Sequence, residues 1–544
     1  MSSAYALSPE SALGADEDIL GRLAVDLGAC TVGGPLSRSE TALVASVLAA
    51  SRPTCTAVLD QARAAILGGS DPLGDRFCEL RSPAARRGAG AVYTPTELVQ
   101  PMVNWTLAQE PGRIVDAGTG SGRFSLRVAH SHRRVEIVAI DSDPLATLMT
   151  RGGLAVLGHH NARVMQSDYT RLKLPAFASR TAFLGNPPYL RHHDLPASVK
   201  LWAQEAARKL GHAVSGLAGL HAYFFLATAQ LGRSGDVGCF VTSAEWLDVN
   251  YGAIVRDLLL GGLGGEAIHV LEPTALPFEK TATTAAITCF RIGEQPSSIR
   301  FRSVKTLAEV GGLAEGKGRP VARARLVEAN RWSPFVRTRQ AIPEGFIELG
   351  ELCRVHRGQV TGSNATWVAR AGDVDLPDRV LYPSVTRARE LFEAGAHLTQ
   401  GHQLRRVIDI PEDLDVLDAD ECKQVERFLR KAKRAGVPKG YIAHHRRAWW
   451  AVGLRDPAPI LATYMARRPP AFVRNLVEAR HLNIAHGLYP RLELPEIALT
   501  RLAAELRTSI TVAQGRTYAG GLTKFEPREM ERLPVPDLVT LTAG

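Results

Sequence analysis

Val115–Ala129 reads VDAGTGSGRFSLRVA, and the interpretation of the first half of the chain turns on it. An apolar, β-branched run meets Asp116, passes Gly118, Gly120 and Gly122, and continues into a helix-compatible stretch. Glycine lets a backbone turn sharply and approach a ligand with no Cβ in the way. The spacing is G-x-G-x-G, not the dinucleotide G-x-G-x-x-G, and no Lys-Ser/Thr follows as in a P-loop. Taken alone, the stretch reads nearly as well as a tight strand-to-helix turn.

Its surroundings repeat the pattern. RIVDAG (113–118), VEIVAID (135–141), RVMQSD (163–168), TAFLGN (181–186) and VGCFVTS (237–243) are short strand-like runs, each followed by a helix-compatible segment. That alternation predicts an α/β, doubly wound, parallel sheet. The predicted domain covers 86–295 and ends in the strand-like AAITCFRI (285–292). In such a sheet, ligands bind beyond the carboxyl ends of the strands. An acid closing the second strand can accept hydrogen bonds from ribose hydroxyls, and Asp141 is placed to do so, with Asp143 before Pro144 as a helix cap. At the third strand end, Asp168 can accept from an exocyclic amine and Tyr169 can lie on a ring face.

The fourth strand ends in Gly185-Asn-Pro-Pro-Tyr189. A residue before proline is held extended, so Asn186 and Pro187 form a stiff rim. Prolines offer carbonyls and no N–H. The Asn186 side-chain oxygen and the Pro187 carbonyl therefore present two acceptors suited to a planar amino group, and Tyr189 offers a face to the ring carrying it.

The order YTP (93–95), DAGTGSG, IDSDP (140–144), SDY and NPPY resembles the N6-adenine DNA methyltransferases of the amino class, in the TaqI-like and Eco57I-like branch. The resemblance implies S-adenosylmethionine as cofactor, with Thr94, Asp116, Gly118 and Gly120 around its methionine end. Asp141 would hold the ribose, Asp168 the adenine amino group, and Tyr169 would lie on the adenine. ALPFEKTATTAAITCF (275–290) resembles the later motif whose aromatic faces the target base, which points to Phe278. HRGQVTGSN (356–364) resembles the opening of the specificity region in these enzymes, and HHRRAWWAVG (444–453) a recurrent stretch within it.

Composition fits a nucleic-acid partner. The 544-residue chain has a formal charge of +10, which suits a polyanion, though a merely basic protein has it too. Residues 421–450 hold nine Lys/Arg against two acids and end in Trp449 and Trp450. Basic residues with aromatics suit a phosphate backbone. Seven scattered cysteines show no zinc spacing, so no metal site is expected. The N-terminus has no basic, apolar leader pattern and no apolar run reaches membrane-span length, so a cytoplasmic protein is expected. Residues 1–85 read as a helical preface with no visible chemistry. Residues 296–345 read as a connector with short strands, and 346–544 as a mixed α+β target-recognition domain. The expectation is an adenine-N6 methyltransferase acting on double-stranded DNA, with a separate restriction endonuclease acting on the same site or none. Cytosine-N4 methylation, or an RNA or protein-glutamine methyltransferase sharing NPPY, are the alternatives.

Overall fold

The computed structural model describes residues 15–81, 94–272, 275, 284–336, 342–466, 468–511, 514–518 and 522–543. The chain divides into two compact units, 1–338 and 339–544.

Unit 1 is built on β1 (Arg113–Ala117), β2 (Glu136–Asp141), β3 (Ala162–Gln166), β4 (Thr181–Gly185), β5 (Val237–Ser243), β6 (Gly265–Leu271), β7 (Ala285–Arg291), β8 (Ser298–Val304) and β9 (Arg319–Ala322). They lie in the order β3-β2-β1-β4-β5-β7-β6-β8-β9. β1 to β5 pair in parallel, so the carboxyl ends of β1 to β4 share one edge. Successive side chains enter opposite cores: Ile114, Ile137 and Ala182 pack on one face, Val115, Val138 and Phe183 on the other. Covering both faces is why these strands read as continuous apolar runs.

Two expectations change here. The sheet is mixed, because β7 runs antiparallel between β5 and β6. Burial on both faces gives an antiparallel strand the same composition as a parallel one. The short strands expected in the 296–345 connector are β8 and β9, and they join the far edge of the same sheet. Trp332 then packs edge-on against Trp246 and Phe301.

The helical preface forms α1 (Ala15–Asp26), α2 (Arg38–Ala50), α3 (Thr56–Leu67) and α4 (Pro72–Leu80). It is part of unit 1. Leu20, Ile66, Leu73 and Phe77 share a core with Leu145 and Met149 of the helix Pro144–Val156. Arg151, fully buried, donates to Glu40 at 2.9 Å and to the carbonyls of Val32, Gly34, Pro35 and Val164. Removing one partner of such a buried pair costs about 3–5 kcal/mol. α5 (Thr96–Leu107), α6 (Arg123–Ser131), α7 (Pro144–Val156), α8 (Ala197–Lys209), α9 (Leu220–Leu231) and α10 (Ala253–Leu260) flank the strands.

Unit 2 contains a five-stranded sheet, ordered 353–357, 485–490, 460–463, 472–475 and 397–398. A four-stranded sheet follows the order 368–369, 405–408, 381–385 and 480–481. Glu496–Ser509 is a helix whose Leu499, Leu502 and Leu506 pack with Val355, Ile460, Phe472 and Leu488 of the five-stranded sheet. Among the described residues, no helix is long and apolar enough to cross a membrane.

Candidate functional site

The loop after β1 needs its glycines. Gly118, Gly120 and Gly122 have φ of 77°, 57° and 95°, which side-chain-bearing residues rarely adopt. The N–H groups of Gly118 and Thr119 donate to the Ile140 carbonyl at 3.0 and 2.8 Å. Asp116 lies fully buried beneath this turn. Its Oδ2 accepts from Thr119 Oγ1, Ser125 Oγ and Ser125 N, at 2.8, 2.6 and 3.1 Å. Burial raises its carboxyl above the usual range against the pull of those bonds. Its Oδ1 accepts no hydrogen bond among the described residues.

Asp141 closes β2 and joins two loops. Its Oδ2 accepts from Gly120 N at 2.9 Å and its Oδ1 from Asp143 N at 3.0 Å. Desolvation raises its carboxyl to about 6. Each oxygen keeps a lone pair for a further donor. Asp143 caps α7, accepting from Leu145 N at 2.9 Å, as expected from Asp-Pro, and also accepts from Arg81 at 2.9 Å.

Beyond β3, Asp168 Oδ1 accepts from Thr170 N and Thr170 Oγ1 at 2.9 and 2.8 Å. Oδ2 is buried with no hydrogen bond among the described residues, and the Arg171 guanidinium stands 3.9 Å away. The cap closes a short 3-10 turn that carries Tyr169 into the core. Tyr169 is therefore not an open ring face. It is 3% exposed, its hydroxyl bonds Thr228 at 2.8 Å, and its ring stacks on Phe224 at 4.7 Å. Phe224 is the ring that reaches the glycine turn: a Cβ on Gly118 would meet it at 3.7 Å and Pro188 at 3.8 Å. Phe224 escaped sequence reasoning because α9 is apolar along nearly its whole length, and an aromatic there looks like any core residue.

β4 delivers the fourth loop. A Cβ at Gly185 would strike the Ala117 carbonyl at 2.6 Å, so glycine is what lets this strand end lie against β1. Asn186 Nδ2 donates to Thr94 Oγ1 at 3.0 Å, which orients the amide. Pro95 takes the cap position of α5, and the Thr94 hydroxyl serves Asn186. Tyr189 is half-buried, its hydroxyl has no partner among the described residues, and burial pushes its phenol well above the usual range. Phe278 lies outside the described residues.

These residues suit S-adenosylmethionine. Acids stand at three neighbouring strand ends, with unsatisfied buried oxygens on Asp116 and Asp168. The turn at Gly118 leaves room beside Phe224 that a methyl side chain would fill. Among the described residues no group of His, Cys, Asp or Glu is arranged to hold a metal.

In unit 2, helix Ala419–Arg434 buries Val425, Leu429 and Ala432 and exposes its cations. Lys423, Arg427 and Arg430 pair with Asp420, Asp375 and Glu426. The tryptophans belong to the core: Trp449 packs on Trp367 at 6.1 Å, and Trp450 donates to the Pro411 carbonyl at 2.9 Å. A cavity of about 690 Å³ opens between the GQV and RR segments, lined by Val360, Arg379, Tyr382, Arg446, Arg447 and Gly453.

Comparison with known proteins agrees with this layout. A family profile described as Type II methyltransferase M.Eco57I, C-terminal domain, matches residues 336–543. The Type II methyltransferase M.XamI of Xanthomonas campestris pv. amaranthicola is 52% identical over 475 residues, covering 87% of this chain and 88% of that protein. M.AccI of Acinetobacter calcoaceticus, also a Type II methyltransferase, is 21% identical over 473 residues, covering 83% and 86%. Among solved structures, the Type IIL restriction-modification enzyme MmeI in complex with DNA shares the fold, with TM-score 0.50 and 12% identity over 93% of this chain and 78% of that one. The chain belongs to the Type II DNA methyltransferases related to M.XamI and M.Eco57I, S-adenosylmethionine-dependent enzymes of restriction–modification.

Proposed function

We propose that this enzyme methylates the N6 amino group of an adenine flipped out of double-stranded DNA, protecting that DNA from a separate restriction endonuclease in the cytoplasm. The observation that carries the proposal is the Asn186 amide, oriented by Thr94 at the strand edge where Asp116, Asp141 and Asp168 gather. A target adenine inside a duplex is out of reach, so it must leave the stack. Asn186 Oδ1 and the Pro187 carbonyl accept from the two N6–H groups. They align the nitrogen lone pair and stabilise the positive charge that grows on it, so catalysis is positioning plus electrostatics. Tyr189 and Phe278 flank the base and replace its lost stacking.

S-adenosylmethionine, when bound, supplies the electrophilic methyl group. Asp141 would accept from its ribose hydroxyls and Asp168 from its adenine amino group, and Phe224, backed by Tyr169, would offer that ring an apolar neighbour. Thr94, Asp116, Gly118 and Gly120 surround the methionine end. Residues 86–295 carry the chemistry and 346–544 read the target, with the exposed cations of 421–450 on DNA phosphates.

The test is transfer of tritiated methyl groups to DNA, tRNA and release-factor protein in parallel, followed by nucleoside analysis. N6-methyl-2′-deoxyadenosine from DNA is expected. N4-methylcytosine would reassign the base, and label in tRNA or protein would reassign the substrate. Cleavage of DNA by the chain with Mg²⁺ and S-adenosylmethionine would overturn the separate endonuclease.

A further inference from the structure

Asp71 lies in the helical preface, where the sequence shows no chemistry. Its Oδ1 caps α4 by accepting from Gly74 N at 2.9 Å. Its Oδ2 leaves the preface. It accepts from Ser121 Oγ at 2.5 Å, in the glycine loop after β1, and from Arg123 Nε at 2.9 Å, at the start of the helix that follows. Arg123 opens α6, where a helix dipole disfavours a cation and the first turn holds no acid of its own. Asp71 and Asp75, from α4, supply the missing negative charge.

The chain of bonds continues inward. Arg123 Nη1 donates to the Thr94 carbonyl at 2.9 Å, and Thr94 Oγ1 accepts from Asn186 Nδ2 at 3.0 Å. Asp71 and Arg123 are 12% and 16% exposed, so solvent screens their pairing little. Gly74 gives a second, independent sign that α4 is shaped for this contact. A Cβ there would fall 2.0 Å from Asp71 Oδ2 and 2.3 Å from Ser121 Oγ.

We infer that Asp71 is a positioning residue for methyl transfer: through Arg123 and Thr94 it sets the orientation of the Asn186 amide. A helix spent on capping alone would need one carboxylate oxygen; the other is committed to the catalytic loops. This inference rests on the assignment of Asn186 to the reacting amine.

The test measures single-turnover transfer to unmethylated plasmid DNA at saturating S-adenosylmethionine, with cofactor affinity by calorimetry and melting temperature beside it. Asp71→Asn keeps a good helix cap while removing the charge. It is expected to slow transfer tenfold or more, with cofactor affinity changed less than threefold. Gly74→Ala, which favours the helix but evicts the Oδ2 contact, is expected to slow transfer in the same way. Combining Asp71→Asn with Thr94→Val should cost little more than the worse single change, because both cut one relay. Asp26→Asn, which breaks the Arg22 and Thr54 contacts inside the preface, should leave the rate unchanged. An unchanged rate in Asp71→Asn, or a loss confined to cofactor affinity, overturns the inference. Fully multiplicative losses in the double variant do so as well. If wild type labels no DNA, the fault lies in the proposed function and not in the relay.

Discussion

At the strand edge of unit 1, polar groups are tied down before any ligand arrives. Asp141 joins two loops through Gly120 and Asp143, Asp168 holds Thr170, and Asn186 holds Thr94. On helix Ala419–Arg434 and beyond, Lys431, Lys433, Arg434, Lys439 and Arg447 are exposed, and none has an ion pair among the described residues. The first arrangement has little reorganisation left to do, so it can discriminate a transition state from a ground state. On the proposed function, the second would order long side chains on binding and work through charge, so its strength would fall with salt. One region is a fixed template and the other a solvated field.

The sharpest way to break this comparison is Asn186→Ala. A preorganised acceptor at a reacting amine contributes about 10²–10³ in rate. Transfer should fall by at least that much, while cofactor affinity measured by calorimetry stays within a few-fold. Lost cofactor affinity at an unchanged rate would mean that Asn186 belongs to the cofactor and not to the base.

Asp141 comes next. A hydrogen bond to a charged acceptor contributes about 1.5–3 kcal/mol, so Asp141→Ala should weaken the cofactor about 10- to 150-fold. Its carboxyl is raised to about 6 by burial. The charged form, the better acceptor, prevails above that value and is lost as pH falls through it. Cofactor affinity should therefore weaken below about pH 6, and Asp141→Asn should flatten that slope. The same shift acts oppositely on folding. Between the unfolded carboxylate range near 3.9 and about 6, only the unfolded state is ionised, so lowering pH across that window removes this group's destabilising contribution. A steeper loss of affinity in Asp141→Asn would place the titrating group elsewhere.

The charged field should respond more weakly and additively. Reversing Lys431, Lys433, Arg434 and Arg447 singly should lower DNA affinity several-fold each. The salt slope should shrink by about one unit for each phosphate that is no longer neutralised. Slopes that hold steady would leave these cations as a solvated face at a helix C-terminus, where the dipole already favours them.

How far the sequence speaks follows the same division. β1, β2, β4, β5 and β7 are legible because both faces are buried and the runs are apolar throughout. β8 reads as a short connector strand, not as part of the main sheet, because Arg300 and Arg302 interrupt its apolar run, and its half-buried position next to the edge tolerates them. Asp141, Asp143 and Asn186 are legible because backbone demands, a strand end or a proline, fix where they stand. Asp71 is not: its bond to Ser121 spans 50 positions, and no local pattern announces it. The tryptophans after the basic run mislead for a related reason. A charge run marks a surface, but its apolar neighbours are free to serve the core beneath, as Trp449 does against Trp367.

The smallest effect should be the most informative about Tyr189. Its hydroxyl is buried with no partner among the described residues, and an unmatched buried hydroxyl costs about 1–3 kcal/mol. Tyr189→Phe removes that oxygen and keeps the ring. If the ring face alone holds the flipped base, transfer should stay within twofold, and the melting temperature should hold or rise. Tyr189→Ala removes the face, so it should cost about 5- to 150-fold, the range for one base–aromatic stack of about 1–3 kcal/mol. The separation between the two variants measures how much of the residue's role is stacking. A large loss in Tyr189→Phe would show that the hydroxyl finds its partner in the complex with DNA. The NPPY loop would then be completed by its substrate, and the contrast between a fixed template and a solvated field would weaken at its centre.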